Sequence, residues 1–294
     1  MSCLDDCSKK APKSCGGIRN QTWSGLGTAS THTIIISMER ESEIGDLAHY
    51  LVDQMDSIQL QGGTAHPRPR RLLVGISGIP ASGKTTFAQI LTERINLILN
   101  QARSPAQLSE STITTNSTQV IQADVERPQA ILVGLDGWHL TRAQLDVFPD
   151  PQTAHDRRGS HWTFDGASYV SFVRALRDIT IGTSVITAPS FDHALKDPTP
   201  DAVSIYPYHR IVIIEGLYVF LSIKPWSEGG LLLDERWFIQ VDPVEARRRL
   251  VKRHVLTGVA KDLKEAEWKA DENDGPSTCL SSILPYFFSE CYLI

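Results

Sequence analysis

The sequence has no apolar run approaching the roughly 20 residues that a membrane-crossing helix requires. It also has no basic N-terminal segment followed by an apolar one, so neither a membrane partner nor a secretory leader is expected. No cysteine lies between Cys15 and Cys279; the five present, Cys3, Cys7, Cys15, Cys279 and Cys291, sit near the ends. A disulfide framework would spread them through the core, so a reducing compartment, the cytoplasm, is expected. Cys3 and Cys7 have no second pair at ligand spacing, which argues against a zinc site. A basic excess is missing too: 29 Lys and Arg against 34 Asp and Glu give a net charge of −5. Nucleic acid is therefore not an expected partner.

What is present is an ordinary composition for a soluble globular protein. The chain has 294 residues, 41% of them hydrophobic and 21% charged, enough for one large α/β domain or two small ones. Residues 1–37 are rich in Ser, Thr, Gly, Lys and Cys without periodicity and read as a disordered extension. From Met38 the texture changes, with Ile44, Leu47, Leu51, Val52 and Met55 at helical spacing. Leu72–Ser77 reads as a buried strand. Phe87, Ile90, Leu91, Ile95, Ile98 and Leu99 form a helical apolar face. Residues 101–129, rich in Ser, Thr and Gln, read as a surface insertion. Four further apolar runs follow: Ile131–Leu135, Ser184–Ala188, Ile211–Ile214 and Trp237–Val241, with helical stretches at Ala167–Ile179 and Pro243–Leu256 between and after them. Such alternation predicts an α/β fold with a doubly wound, mostly parallel sheet and helices on both faces. Ligands of these sheets bind at the carboxyl ends of the strands, which is where Asp136 and Glu215 stand.

Gly78-Ile79-Pro80-Ala81-Ser82-Gly83-Lys84-Thr85, followed by Thr86, fits the phosphate-loop pattern GxxxxGK[ST], with a strand before it and a helix after. Glycines let backbone N–H groups turn inward around phosphate oxygens, and the new helix directs its positive end at them. Lys84 supplies a charge at the β- and γ-phosphates, and the Thr85 hydroxyl is a Mg²⁺ ligand. These residues point to ATP or a related nucleoside triphosphate. No Asn-Lys-x-Asp run is present to read guanine, and no Leu-Ser-Gly-Gly run marks an ABC-type ATPase.

Five other segments could carry chemistry, and most have a plainer reading. Asp136, in Asp136-Gly137-Trp138-His139, could accept the proton of an attacking hydroxyl or simply cap a turn. His139 is either a substrate contact or a polar turn residue. Arg157-Arg158-Gly159, with His161-Trp162-Thr163-Phe164-Asp165, could hold an anionic or hydroxylated substrate or form a solvated loop. Phe191-Asp192-His193 carries the same ambiguity. The apolar run ending in Glu215 resembles the second phosphate-loop motif, a strand closed by an acid that steadies Mg²⁺ or its water. Arg249 and Arg253, four apart on one predicted helix, could close over phosphates or be a solvated face.

In order, GIPASGKTT, DGWHLTRAQLD from Asp136, HDRRGSHWTFD to Asp165, FDHALKDP from Phe191, IIEGLYVFL from Ile213 and RRLVKRHVLTG to Gly258 resemble the phosphoribulokinase/uridine kinase family of phosphate-loop kinases. That family includes the bacterial pantothenate kinases, and the likeness is closest to a branch of fungal and bacterial small-molecule kinases. It covers about residues 40–274, within an expected kinase domain at 38–274. The resemblance implies ATP and Mg²⁺, transfer of the γ-phosphoryl group to a hydroxyl of a small-molecule acceptor, and a helical lid. It implies Asp136 as general base, with Lys84, Arg249 and Arg253 catalytic, and Thr85 and Glu215 at the metal. His139, Arg158 and His193 would face the acceptor. A homodimer is allowed. An ATPase without an acceptor, or an inactive relative, is the alternative. The chain departs from the family at Trp138, where Phe is usual, and in residues 275–294. The family runs on from a pair like Asn273-Asp274 into a closing strand, so the departure implies a sheet lacking one edge.

Overall fold

The computed structural model describes residues 33–37, 41–61, 70–102, 127–178, 184–192 and 195–271. Its strands are β1 (Thr33–Ser37), β2 (Leu72–Gly78), β3 (Ala130–Gly134), β4 (Ile186–Asp192), β5 (Asp197–Ile205), β6 (Ile211–Glu215) and β7 (Glu235–Gln240). Five of them form one sheet in the order β1-β7-β2-β6-β3, with every neighbouring pair parallel. The helices are α1 (Glu41–Gln61), α2 (Lys84–Ala102), α3 (Arg142–Leu145), α4 (Pro151–Asp156), α5 (Gly166–Arg177), α6 (Trp226–Gly230), α7 (Pro243–Leu256) and α8 (Leu263–Lys269).

Both faces of the sheet are covered, which is why its strands read as unbroken apolar runs. Every residue of β2 and β6 is buried. Successive side chains serve opposite cores. Leu72, Val74, Ile76, Ile211 and Ile213 pack with Ile44, Leu51 and Met55 of α1 and Phe87, Leu91 and Ile95 of α2. Leu73, Val212 and Ile214 pack on the other side with Tyr169 and Val173 of α5 and Trp226 of α6. The helical spacings at 44–55 and 87–99 thus mark the faces that meet the sheet.

Two expectations are corrected. Ser184–Ala188 does not add a strand to the parallel sheet; β4 pairs antiparallel with β5 in a separate hairpin. The reason lies in Pro189, Pro198 and Pro200, which have no N–H to give a central ladder. The register slips between Ala188 and Ser190, across Pro189. Residues 1–37 are not wholly without order either. Thr33–Ser37 is a run of three isoleucines that forms β1, parallel to β7 from Thr33↔Arg236 to Ser37↔Gln240. The edge beside β7 is therefore filled from the N-terminal side. The tail at 275–294, all five cysteines and residues 103–126 of the expected insertion lie outside the described residues.

Candidate active site

The site stands at the carboxyl ends of β2, β6 and β3, where the chain leaves the sheet in both directions. β2 gives way to the phosphate loop, and α2 begins at Lys84. The turn is a backbone construction: Ser82 N–H donates to the Ile79 carbonyl at 3.1 Å, and Phe87 N–H to the Gly83 carbonyl at 3.0 Å. Gly83 has φ 87°, which only glycine adopts without strain. Ala81 also sits in the left-handed region, at φ 60°, and its methyl packs toward the Leu250, Val251 and Ala266 cluster of α7 and α8. Ile79 is buried with Ala246 of α7 and Phe238 of β7. The arginine-rich helix therefore rests on the loop through its apolar face.

Glu215 closes β6 opposite Gly134 of β3. It is 8% exposed and accepts a hydrogen bond from the Thr85 hydroxyl at 3.2 Å. Burial raises its carboxyl above the ordinary glutamate range; Lys84 opposes this, Asp136 reinforces it and Thr85 opposes it again. One cation, two carboxylates and one hydroxyl thus share a field at three strand ends. The oxygen donors fit Mg²⁺, a hard ion that keeps octahedral geometry and takes much of its shell from phosphate and water. Among the described residues no three His, Cys, Asp or Glu side chains converge as a protein-only metal cage.

Asp136 lies in a 3-10 turn, Leu135–Trp138, directly after β3. Its side chain is exposed while its neighbours are buried. The turn is fixed from below: a Cβ on Gly137 would lie 2.3 Å from the Pro189 carbonyl oxygen, so β4 can press against it only at a glycine. Trp138 is 3% exposed, with ring centroids 5.5 Å from Tyr169 and 5.0 Å from Phe172. It is a core anchor for the turn. His139 lies against Phe164 at 3.9 Å and Phe191 at 4.9 Å between centroids, with Nδ1 2.8 Å from the Asp136 carbonyl. Tyr218, whose hydroxyl donates to the Gly159 carbonyl at 2.9 Å, supports Phe164 edge-on at 5.4 Å.

Arg158, expected to face the acceptor, is tied to neighbouring segments of the protein. Its guanidinium donates to the Leu140 carbonyl at 2.8 Å, to Asp197 at 2.8 Å and to the Lys196 carbonyl, and lies 5.6 Å from the Phe191 ring centre. Asp197 also receives the Arg142 backbone N–H at 2.9 Å and its guanidinium at 3.2 Å. Arg158 is thus a clamp that joins three segments, and Asp197 is the partner that the sequence reading missed. The Asp-Pro pair at the start of β5 was the available signal. His193 lies outside the described residues.

On α7, Asp242 caps the N-terminus by accepting from Val244 and Glu245 N–H. Arg249 pairs with Glu245 at 2.7 Å, four residues away, and Arg248 takes the same carboxylate at 2.7 Å. Together Arg248 and Arg249 hold the Glu245 carboxyl down to about 2. Arg253 is exposed and makes no ion pair with a described residue. Exposed pairs at this spacing are weak, so a phosphate can replace Glu245 as the partner of Arg249. Beside the Asp136 turn, a cavity of about 300 Å³ opens between Trp138, the first turn of α5 and the β4–β5 hairpin.

No family model matches the chain. Over 141 residues it is 50% identical to the "ATP-dependent kinase-like protein notR'" of Aspergillus versicolor, across 48% of this chain and 82% of that one. Over 205 residues it is 32% identical to "Putative uridine kinase C227.14" of Schizosaccharomyces pombe, across 70% of this chain and 75% of that one. The crystal structure of YFH7 from Saccharomyces cerevisiae matches 81% of this chain and 95% of its own, with a TM-score of 0.63 at 24% identity, a likeness of fold.

Proposed function

We propose, for a chain that belongs to the phosphoribulokinase/uridine kinase family of P-loop kinases, that it transfers the γ-phosphoryl group of ATP to a hydroxyl of a small-molecule metabolite. One observation carries the reading: Asp136 stands exposed at the end of β3 and shares the electrostatic field of Glu215 with Lys84. A nucleotide-binding loop alone has no need of a second, solvent-facing carboxylate there. A kinase needs one to receive the acceptor's proton.

In this reading the acceptor hydroxyl approaches the γ-phosphorus and yields its proton to the Asp136 carboxylate. The new oxygen–phosphorus bond forms as the bond to the β,γ-bridging oxygen breaks, and ADP leaves. Lys84 and the inward-facing N–H groups of residues 78–85 hold the phosphates. Arg249 and Arg253, on the helix that rests on the loop, balance charge on the transferring group. His139, steadied between Phe164 and Phe191, contacts the acceptor. Thr85 and Glu215 would hold Mg²⁺ directly or through its water; when bound, it neutralises phosphate charge. Positioning and electrostatics do most of the work in this chemistry, since little covalent help is required of the protein.

The test is an acceptor screen that measures ADP release from Mg-ATP across nucleosides, pantothenate, sugars and sugar phosphates, with mass spectrometry of the products. ADP formation that depends on one acceptor, with that acceptor gaining a phosphoryl group, is the expected result. Release of ADP and inorganic phosphate at one rate with every compound would reject the reading in favour of an ATPase.

A further inference from the structure

The cavity beside the Asp136 turn has a charge character that none of the roles above uses. Its polar wall consists of Asp165, Asp201, Ser168, Thr187, Gln144 and the His139 imidazole, and no lysine or arginine lines it among the described residues. Asp165 accepts the Ser168 N–H at 2.9 Å through Oδ1, and Asp201 accepts the Thr187 hydroxyl through Oδ1. Neither carboxylate meets a cationic side chain among the described residues. The nearby arginines, Arg142 and Arg158, are both drawn to Asp197. Trp138, Phe172, Pro189 and Pro198 supply the apolar wall. The volume, about 300 Å³, is at the lower end of the range for small-ligand pockets. The cavity shares Gly137, Trp138 and His139 with the turn that carries Asp136.

Resting on the kinase reading, we propose that this cavity receives the part of the acceptor remote from the reacting hydroxyl. Asp165 and Asp201 select an uncharged or cationic group rich in hydroxyl or amine donors, and disfavour a carboxylate or phosphate there. Ionised carboxylates accept hydrogen bonds and cannot donate them, so they reward donors on the ligand. A ligand anion about 6 Å from either aspartate is disfavoured by about three- to a hundredfold, as the effective dielectric falls from that of water to that of a protein surface. Panthenol, free sugars and uridine then outrank pantothenate, sugar phosphates and orotidine, each of which carries an added anion on a related skeleton.

The experiment compares these matched pairs with the full chain and Mg-ATP, reading kcat/KM from ADP release, and repeats the comparison with Asp201→Asn and Asp165→Asn. The second substitution retains a residue that can cap α5. Expected is a preference of tenfold or more for the neutral member of any pair that reacts, narrowing several-fold in either variant. A preferred anionic member, or a preference unchanged in both variants, overturns the cavity assignment and leaves the kinase reading intact. ADP release independent of every compound rejects the kinase reading itself. If no pair supports turnover, thermal shift with the same six compounds decides the cavity's role. Stabilisation by the neutral members alone, lost in Asp201→Asn, supports it, and no stabilisation by any compound overturns it.

Discussion

The phosphate loop, residues 78–85, keeps its shape through its own backbone, whereas the second loop, residues 139–165, is also tied by side-chain bonds to two other segments. In the first, Ser82 bonds to Ile79 and Phe87 to Gly83, all within ten residues of sequence. In the second, Arg158 reaches Leu140, Lys196 and Asp197. Tyr218 props Gly159 from a connection that follows β6. A locally encoded shape yields to a sequence pattern; one assembled from distant partners does not. The donor half of the site should therefore fail through chemistry when altered, and the acceptor half through geometry.

The largest effect expected is for Asp136→Asn. It should leave Mg-ATP binding near its original value and lower kcat by about 10²–10⁴-fold, measured with the acceptor found in the screen. Lys84→Ala should come next, with a loss of about 10²–10³-fold in kcat and weaker ATP binding as well. Full activity in either variant would break the assignment of chemistry to the strand ends.

Glu215→Gln separates stability from activity. The raised carboxyl of Glu215 means that the folded state favours its protonated form. The stability tied to this group is full below the ordinary glutamate pKa and is lost as pH rises through the raised value. Above that raised value the ionised, buried carboxylate is therefore a burden on the fold. Glu215→Gln should melt at a higher temperature there, with the gain vanishing toward acid, while activity falls by about 10–100-fold. A lower melting temperature above that value would show that the hydrogen bond from Thr85 outweighs burial.

The smallest catalytic effect is expected at the clamp. Arg158→Ala should destabilise the fold by about 1–3 kcal/mol, because it leaves Asp197 and two carbonyls with fewer donors. It should raise the acceptor KM by about tenfold, with the KM for ATP unchanged. Arg158→Lys keeps the charge and loses the fork, so it should recover only part of the stability. A change in the KM for ATP larger than that for the acceptor would dissolve the contrast between the two halves.

The same contrast explains what could be read from the sequence. β2, β6 and α7 were legible because each is a continuous run whose period matches its environment, apolar throughout for strands buried on two faces and capped by Asp242 for the helix. Asp136 and Glu215 were legible because such strands end where ligands bind. β1 was missed because three isoleucines stand among Ser, Thr and Gly and form a strand only beside β7. The Ser184–Ala188 run was assigned to the wrong sheet because an apolar run does not name its partner; the prolines just beyond it do. The pairing of Arg158 with Asp197 was not legible because the two lie 39 residues apart. Asp201 drew no notice because, in sequence, an exposed acid is indistinguishable from one facing a cavity.

The central claim is that the phosphoryl group leaving the loop is received by a hydroxyl deprotonated at Asp136. It is tested most directly by following label from γ-labelled ATP in the presence of the identified acceptor. The account predicts label on the acceptor's hydroxyl with the unaltered protein and its near disappearance with Asp136→Asn, while Mg-ATP remains bound. Label found only in inorganic phosphate, formed equally fast with and without Asp136, would contradict it.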